Sequence, residues 1–468
     1  MSSIPNNRPT VQSNHQIESY LSARSKPTSE KEEIERHHQE DDRVSADCEK
    51  SFSEEQIEHV PEGTGSPSKA LFMLLKVFVG TGVIFLPGSF VSGGLIFSIC
   101  LMVFVACLCL VAFQLLVKVQ RLMGGSYGDL AYALYGPWLR YCVQFFLCLS
   151  QMGFVASYLI FISENIGLAV QTLSNCYSPF EAKYYIWMVI AIVIPVTWTR
   201  KIVRLSWFAI IADVFILFGL ICVLYFCSAQ IAHNGPGPNI KNINPNDFAL
   251  MIGTAVFSFE GVGMVVPIVE GMKEPEKFPR VLNIGMVIVA VIFILIGTIG
   301  YVAYGENTQA SVVANLPRQP LSVTVQLLYA IAMILTCPCM LYPALTIIER
   351  GIYGPNRSGR TSLKYKWGKN FVRSMIAIVC AAVSFGVGAD SLNKFVALVG
   401  SVACMPLCFI FPGMFHYKVA NNRWKKTGDV ILTIWGIGIM IYTLYVNINS
   451  WVHPAPSAPA PECIPVQQ

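Results

Sequence analysis

The chain has 468 residues, 54% of them apolar and 13% charged, with a mean hydropathy of +0.54. A soluble globular chain is about one-quarter charged, so this composition excludes a soluble protein and marks an integral membrane protein. The net charge of +5 hides an asymmetry: residues 1–68 hold 7 Lys and Arg against 14 Asp and Glu, while the other 400 hold 26 against 14. That positive charge sits in short loops between apolar runs, which excludes nucleic acid as a partner.

In chain order, residues 1–68 form a polar tail with no apolar run and no signal-peptide pattern, expected to be disordered and cytosolic. Runs of about 20 apolar residues then predict eleven crossings. They lie near 69–91, 94–118, 139–170, 184–199, 206–231, 247–271, 282–304, 321–349, 371–388, 391–412 and 428–451. Span 4 is short, and a short Pro-rich tail, 452–468, closes the chain.

Lysine and arginine orient these spans. With the N-terminus in the cytosol, inward loops carry 20 of them and outward loops only Lys183, Lys241, Arg318 and Lys394. The bias predicts a cytosolic N-terminus and a lumenal C-terminus. The sequon Asn356-Arg357-Ser358 falls in the most basic inward loop, where it escapes glycosylation.

Two stretches break the pattern of plain apolar helices. Span 1 contains "KVFVGTGVIFLPGSF" (76–90) and span 6 contains "FEGVGMVVPIVEGM" (259–272). Gly80-x-Gly82 with Pro87 in the first is echoed by Gly261-x-Gly263 with Pro267 in the second, five spans later. Five is odd, so the second half enters the membrane in the opposite sense. Gly/Pro-interrupted segments at matching places in two inverted halves point to a transporter's central binding site. Irregular backbone survives at that depth only around a protein-lined cavity. A half-helix N-terminus near Gly82 offers N–H groups and partial positive charge to a carboxylate. Carbonyls freed near Phe259–Gly261 accept from an ammonium. Together they match an α-amino acid. The competing reading is close helix packing at the glycines.

The stretches "LLKVFVGTGVIFLP" and "FSFEGVGMVVPIVEGMK" resemble the span-1 and span-6 signatures of the amino acid/auxin permease family, in particular its fungal vacuolar amino acid transporter branch. The resemblance covers roughly 65–451. It implies an all-α membrane protein of eleven transmembrane helices, in a five-plus-five inverted repeat shared with LeuT, with helices 1 and 6 broken. It also implies proton-coupled export of neutral amino acids from vacuole to cytosol. By motif position, Gly80, Thr81 and Gly82 hold the substrate carboxylate. Ser258, Phe259 and Glu260 meet the amino group and cap the site, and Tyr158 faces the substrate. The chain departs from the animal proton-coupled members at Met73, where those carry a histidine three residues before the motif lysine. Its seven histidines are read as lying in tails, loops or span ends, so a buried histidine relay is not expected. Cys176 and Cys463 face the lumen and Cys48 the cytosol. No cysteine lies between spans 7 and 8, so the disulfide that animal relatives make between that loop and the span 3–4 loop has no partner here.

An ionisable residue inside a span costs about 2.5–3.5 kcal/mol and is a functional candidate by default. Glu260, beside the span-6 break, leads as proton carrier, with Lys76 as a second candidate and a Glu260–Lys76 ion pair as the structural alternative. Glu164, Asn165 and Asp213 are read as helix–helix ties. Phe257 and Phe259 are candidate gates. "CPCM" (337–340) reads as packing at a kink, so no metal or cofactor is expected. The basic loop 350–373 reads as a topology determinant, with contact to anionic membrane lipid as its alternative. Expected partners are an amino acid, a proton and lipid; oligomeric state is not legible. An enzyme is disfavoured for want of an acid–base or metal cluster, and a sensor with a transporter fold is the rival reading.

Overall fold

The computed structural model describes residues 65–80, 82–174, 176–199, 202–354 and 363–453. The tail before Gly65, Thr81, the sequon at 356–358 and the Pro-rich end lie outside them.

The first crossing begins where Ser66 accepts a hydrogen bond from the Lys69 N–H (3.3 Å) and Pro67 occupies the first turn, a cap and an N1 proline acting together. Helix α1 (Pro67–Val79) stops at Gly80; after one 3₁₀ turn, Val83–Phe85, the crossing resumes as α2 (Leu86–Gly93). Gly94, at φ +85°, turns the chain into α3 (Leu95–Met123). A short helix α4 (Tyr127–Tyr135), opened by a Ser126–Asp129 capping box, leads to α5 (Pro137–Leu173). Helices α6 (Tyr185–Thr197) and α7 (Ile202–Asn234) complete the first half.

The second half repeats the interruption. Helix α8 (Phe248–Ser258) ends, residues 259–261 are irregular, and α9 (Val262–Glu270) follows. Then come α10 (Phe278–Tyr304), α11 (Pro320–Tyr353) and α12 (Leu363–Val387). The tenth crossing is α13 (Leu392–Val399), two five-residue π-helical segments, Gly400–Cys404 and Pro406–Ile410, and α14 (Phe411–Val419). Pro406 and Pro412 lack the N–H that a regular ladder would use there. Helix α15 (Arg423–Val452) is the last crossing.

Ten helical spans among the described residues are long and apolar enough to cross a membrane. The expected fourth crossing is a shorter apolar helix, Ala182–Thr197, so a count of eleven full-length spans is not reproduced. No named strand occurs among the described residues; a lone parallel bridge joins Gly65 to Met272. There the Gly65 N–H donates to the Gly271 carbonyl (3.1 Å), and the Lys273 N–H to the Gly65 carbonyl (3.0 Å). The start of α1 is thereby fastened to the end of α9.

Small residues let the broken helices sit close to their neighbours. A Cβ on Gly253 of α8 would stand 2.3 Å from the Ala397 carbonyl oxygen, and one on Gly400 would stand 1.9 Å from the Gly253 carbonyl oxygen. Helix α11 packs against both α5 and α7, while α10 backs α1, α2 and α3.

Two buried polar groups were not legible in the sequence. Arg373, assigned to a basic loop, lies inside α12, where its guanidinium pairs with Glu349 of α11 and donates to the Thr197 carbonyl (2.8 Å) at the end of α6. The pair, at 4% and 7% side-chain exposure, locks three helices. His416 stands in the last turn of α14, at a span end as read, yet it is buried, and its Nδ1 meets the Asp429 carboxylate of α15 at 2.7 Å. Burial of a histidine at this span end was not read from the sequence; span 10 runs seven residues further than the apolar run suggests. Cys176 is disulfide-bonded, to a partner outside the described residues.

Candidate functional site

The two interruptions meet. Gly82 caps the 3₁₀ turn before α2 and sits on Ser258, the last residue of α8; a Cβ added to the glycine would stand 2.7 Å from the Ser258 Cα. Gly80 caps the end of α1. Phe259, Glu260 and Gly261 form the unwound stretch, with Gly261 lying on the Phe78 ring (2.7 Å to its Cε1 from an added Cβ). Half-helices α1 and α9 run from these breaks towards one membrane face, α2 and α8 towards the other. The 3₁₀ turn Val83–Phe85 that opens the outer half of the first crossing has no helical turn before it to consume its first N–H groups, and at the end of α8 the Phe259 and Glu260 N–H groups close back on the Ala255 (3.1 Å) and Phe257 (3.3 Å) carbonyls, with no regular turn beyond them. Both kinds of group therefore end at one place.

The residues around the breaks are closed to solvent. Ser258 and Phe259 are fully buried and Glu260 is 4% exposed. The Ser258 hydroxyl donates to the Thr254 carbonyl (2.9 Å), inside its own helix. Glu260 Oε1 is buried with no hydrogen-bond partner among the described residues, an arrangement that costs free energy and calls for a ligand or a proton. Its electrostatic neighbours include Tyr127 of α4 and Cys404 and Cys408 of the π-helical segments.

Lys76 does not meet Glu260. Its ammonium lies 2.9 Å from the Asp213 carboxylate of α7, with both side chains about one-quarter exposed (25% and 29%). The structural alternative of a Glu260–Lys76 pair is thus replaced by an α1–α7 tie, and Asp213 is a tie as expected. Asn165 is not: its amide donates to the Phe161 carbonyl (2.8 Å) of its own helix. Glu164 is no tie either, since its Oε2 is buried without a hydrogen-bond partner among the described residues.

Aromatic rings wall the site. Phe257 contacts Phe154 (centroids 4.5 Å) and Phe85 (6.3 Å), and Phe85 also meets Phe161 (6.0 Å). Phe154, Tyr158 and Phe161 recur on one face of α5 at helical spacing, so the fully buried Tyr158 shares the face that packs on the breaks. Phe259 packs on Phe293 (5.2 Å) and Phe78 on Phe113 (6.1 Å). Sequence reasoning missed Phe85, Phe154 and Phe161; their i, i+4, i+7 spacing around Tyr158 was the available signal for two of them.

Comparison with known proteins places this geometry. Residues 63–449 match the family model described as transmembrane amino acid transporter protein. The chain belongs to the transmembrane amino acid transporter family. This is a family of transporters, not enzymes. Among its curated relatives, the vacuolar amino acid transporter 3 of Schizosaccharomyces pombe is 37% identical over 386 residues, covering 82% of this chain and 58% of that protein. The protein of the same name in Saccharomyces cerevisiae is 39% identical over 394 residues, covering 82% and 57%. An amino acid transporter of Arabidopsis thaliana is 30% identical over 420 residues, covering 83% and 92%. The chain thus spans less than three-fifths of the length of its fungal relatives.

Solved structures share the fold of this family member. The inward-facing form of Mhp1 aligns with a TM-score of 0.59 at 14% identity, covering 84% of this chain and 91% of that one. A manganese transporter of Eremococcus coleocola aligns at 0.54 and 13%, covering 85% and 91%. At such identities the likeness shows the fold alone, the LeuT-like inverted repeat with its first and sixth crossings broken.

Proposed function

We propose that this chain is a secondary transporter that carries amino acids across the vacuolar membrane by alternating access. The observation that supports it most is the junction of the two breaks, where Gly82 rests on Ser258 and the Glu260 carboxyl is buried without a partner for Oε1. Gly80, Thr81 and Gly82, with the N–H groups that open the 3₁₀ turn after the break, receive the substrate carboxylate, and Tyr158 faces the substrate. The carbonyls at Ser258 and Phe259 receive the ammonium. Glu260 carries the coupling proton, which enters from the lumen with the amino acid and leaves with it on the cytosolic side, as symport requires. Small neutral amino acids fit a site walled by phenyl rings. The closed arrangement is one stage of the cycle, and opening towards α1 and α9 requires the Lys76–Asp213 tie to part.

The membrane is the one in the fungal relatives' names, the charge bias supports a cytosolic N-terminus and a lumenal C-terminus, and net movement from vacuole to cytosol rests on the resemblance of the two signatures alone. A disulfide at Cys176 fits the lumenal assignment, because cytosolic thiols are kept reduced. The test is uptake of a labelled amino acid panel into proteoliposomes with a pH gradient imposed and then collapsed. Gradient-dependent uptake of neutral amino acids is expected. Binding without flux makes the protein a sensor, and flux indifferent to the gradient removes the proton.

A further inference from the structure

A groove of about 610 Å³ runs along the outer side of the bundle, away from the breaks, between α3 and α15. Phe104, Leu108, Val111 and Leu115 give it one apolar wall, at the spacing of a single helical face, and Ile431 and Trp435 give it another. At its foot the lining changes character: Lys118, His416, Lys425 and Asp429 converge there.

The foot is built, not incidental. A lysine near a membrane surface ordinarily swings freely towards water. Lys118 is instead held by His416 Nε2 at 3.1 Å, and His416 Nδ1 is held by Asp429 at 2.7 Å. An ammonium has only N–H donors, so Nε2 accepts and the imidazole proton sits on Nδ1, donated to Asp429. His416 and Asp429 are 2% and 3% exposed. They form a buried bracket that aims one cation at the groove and leaves it two spare donors. Lys425 adds a second cation, which has no ion pair among the described residues, and Arg423 and Lys426 stand within one turn of it.

The dimensions fit one leaflet. From Lys118 to Phe104 is 14 residues of α3, about 21 Å of helix, and half a bilayer with its headgroups is about 20–22 Å thick. Both lysines lie at the ends of α3 and α15 that adjoin the basic loops, the side whose leaflet is rich in anionic lipid. A cation pair beneath an apolar seam of that length is complementary to a phosphate joined to an acyl chain.

We propose that this groove binds one anionic glycerophospholipid of the leaflet on that side, its phosphate on Lys118 and Lys425 and an acyl chain between α3 and α15. The proposal does not depend on the substrate or on the coupling ion.

Trp435 lies in the groove and provides the readout. The full chain is placed in phosphatidylcholine vesicles containing a titrated fraction of either dibrominated phosphatidylserine or dibrominated phosphatidylcholine, and the Trp435 signal is obtained by subtracting a Trp435→Phe variant. Half-quenching is expected at a lower fraction of the anionic lipid, by roughly fivefold per lysine. Lys118→Gln/Lys425→Gln should erase that preference while leaving quenching by brominated phosphatidylcholine and the signal of the other seven tryptophans unchanged. Should the double variant fold poorly, Lys425→Gln alone is expected to lose about half the preference on a logarithmic scale. Equal quenching by the two lipids overturns the proposal, as does a preference that survives the double substitution. Stronger quenching by a brominated sterol than by either phospholipid overturns it too.

Discussion

Gly82 meets Ser258 at backbone contact: a Cβ on the glycine would stand 2.7 Å from the serine Cα and 2.7 Å from its Oγ. No side-chain rotation relieves a clash with backbone. Gly82→Ala therefore pushes α2 off α8, and overpacking of this kind costs about 1–3 kcal/mol. Uptake in proteoliposomes should fall roughly tenfold or more, and Gly82→Leu should abolish it, with the protein still reaching the membrane. Gly438→Ala, which meets nothing within 4 Å, is the matched control. Normal uptake by Gly82→Leu would remove the glycine from the site.

Glu260→Gln keeps the shape of the side chain and removes its ionisation. Flux that depends on a pH gradient should disappear, with membrane level unchanged. Exchange of labelled for unlabelled amino acid across the same vesicles, which needs no net proton movement, should persist at a reduced rate. Wild-type pH sensitivity in this variant would assign the proton elsewhere.

Removing either partner of the Glu349–Arg373 pair leaves a buried charge, which costs about 3–5 kcal/mol. Glu349→Met and Arg373→Met should each lower the unfolding temperature sharply. The double variant should recover most of the loss, because two apolar side chains fill the space without an orphaned ion. Thermal unfolding in detergent measures all three, and a double variant worse than either single one would contradict this account.

The Lys76–Asp213 tie is about one-quarter exposed to solvent, so its coupling energy is smaller, about 0.5–3 kcal/mol in a double-mutant cycle. Its effect should appear in accessibility. Lys76→Met or Asp213→Asn should speed labelling of a cysteine introduced at Val79 by a water-soluble maleimide severalfold, since α1 is less firmly held to α7. Unchanged labelling in both variants would show that the tie does not govern opening.

What the sequence made legible were features written in one segment at a time. Gly80-x-Gly82 and Gly261-x-Gly263 announced both interruptions, because glycine and proline act on their own backbone. Glu260 stood out because a carboxylate in an apolar run is costly wherever its partners lie. What stayed hidden were pairings. Lys76 and Asp213 are far apart in the chain, and nothing near Lys76 distinguishes Asp213 from Glu260 as its partner. Arg373 looked like a loop cation because its position just before an apolar run is where loop cations gather; only the fold brings Glu349 and the Thr197 carbonyl to it. The burial of His416 stayed hidden for a related reason: it stands in the last turn of its span, and only the fold brings Asp429 of the next helix to it. Tyr158 was proposed by resemblance, while its companions Phe154 and Phe161 carried no charge or break to attract notice.

The bridge between Gly65 and Met272 has a mechanical corollary. It splices the strand of chain leading into α1 to the exit of α9, so the two half-helices on that side share one anchor point. A pull on the polypeptide ahead of Gly65 would therefore reach α1 and α9 in a single stroke.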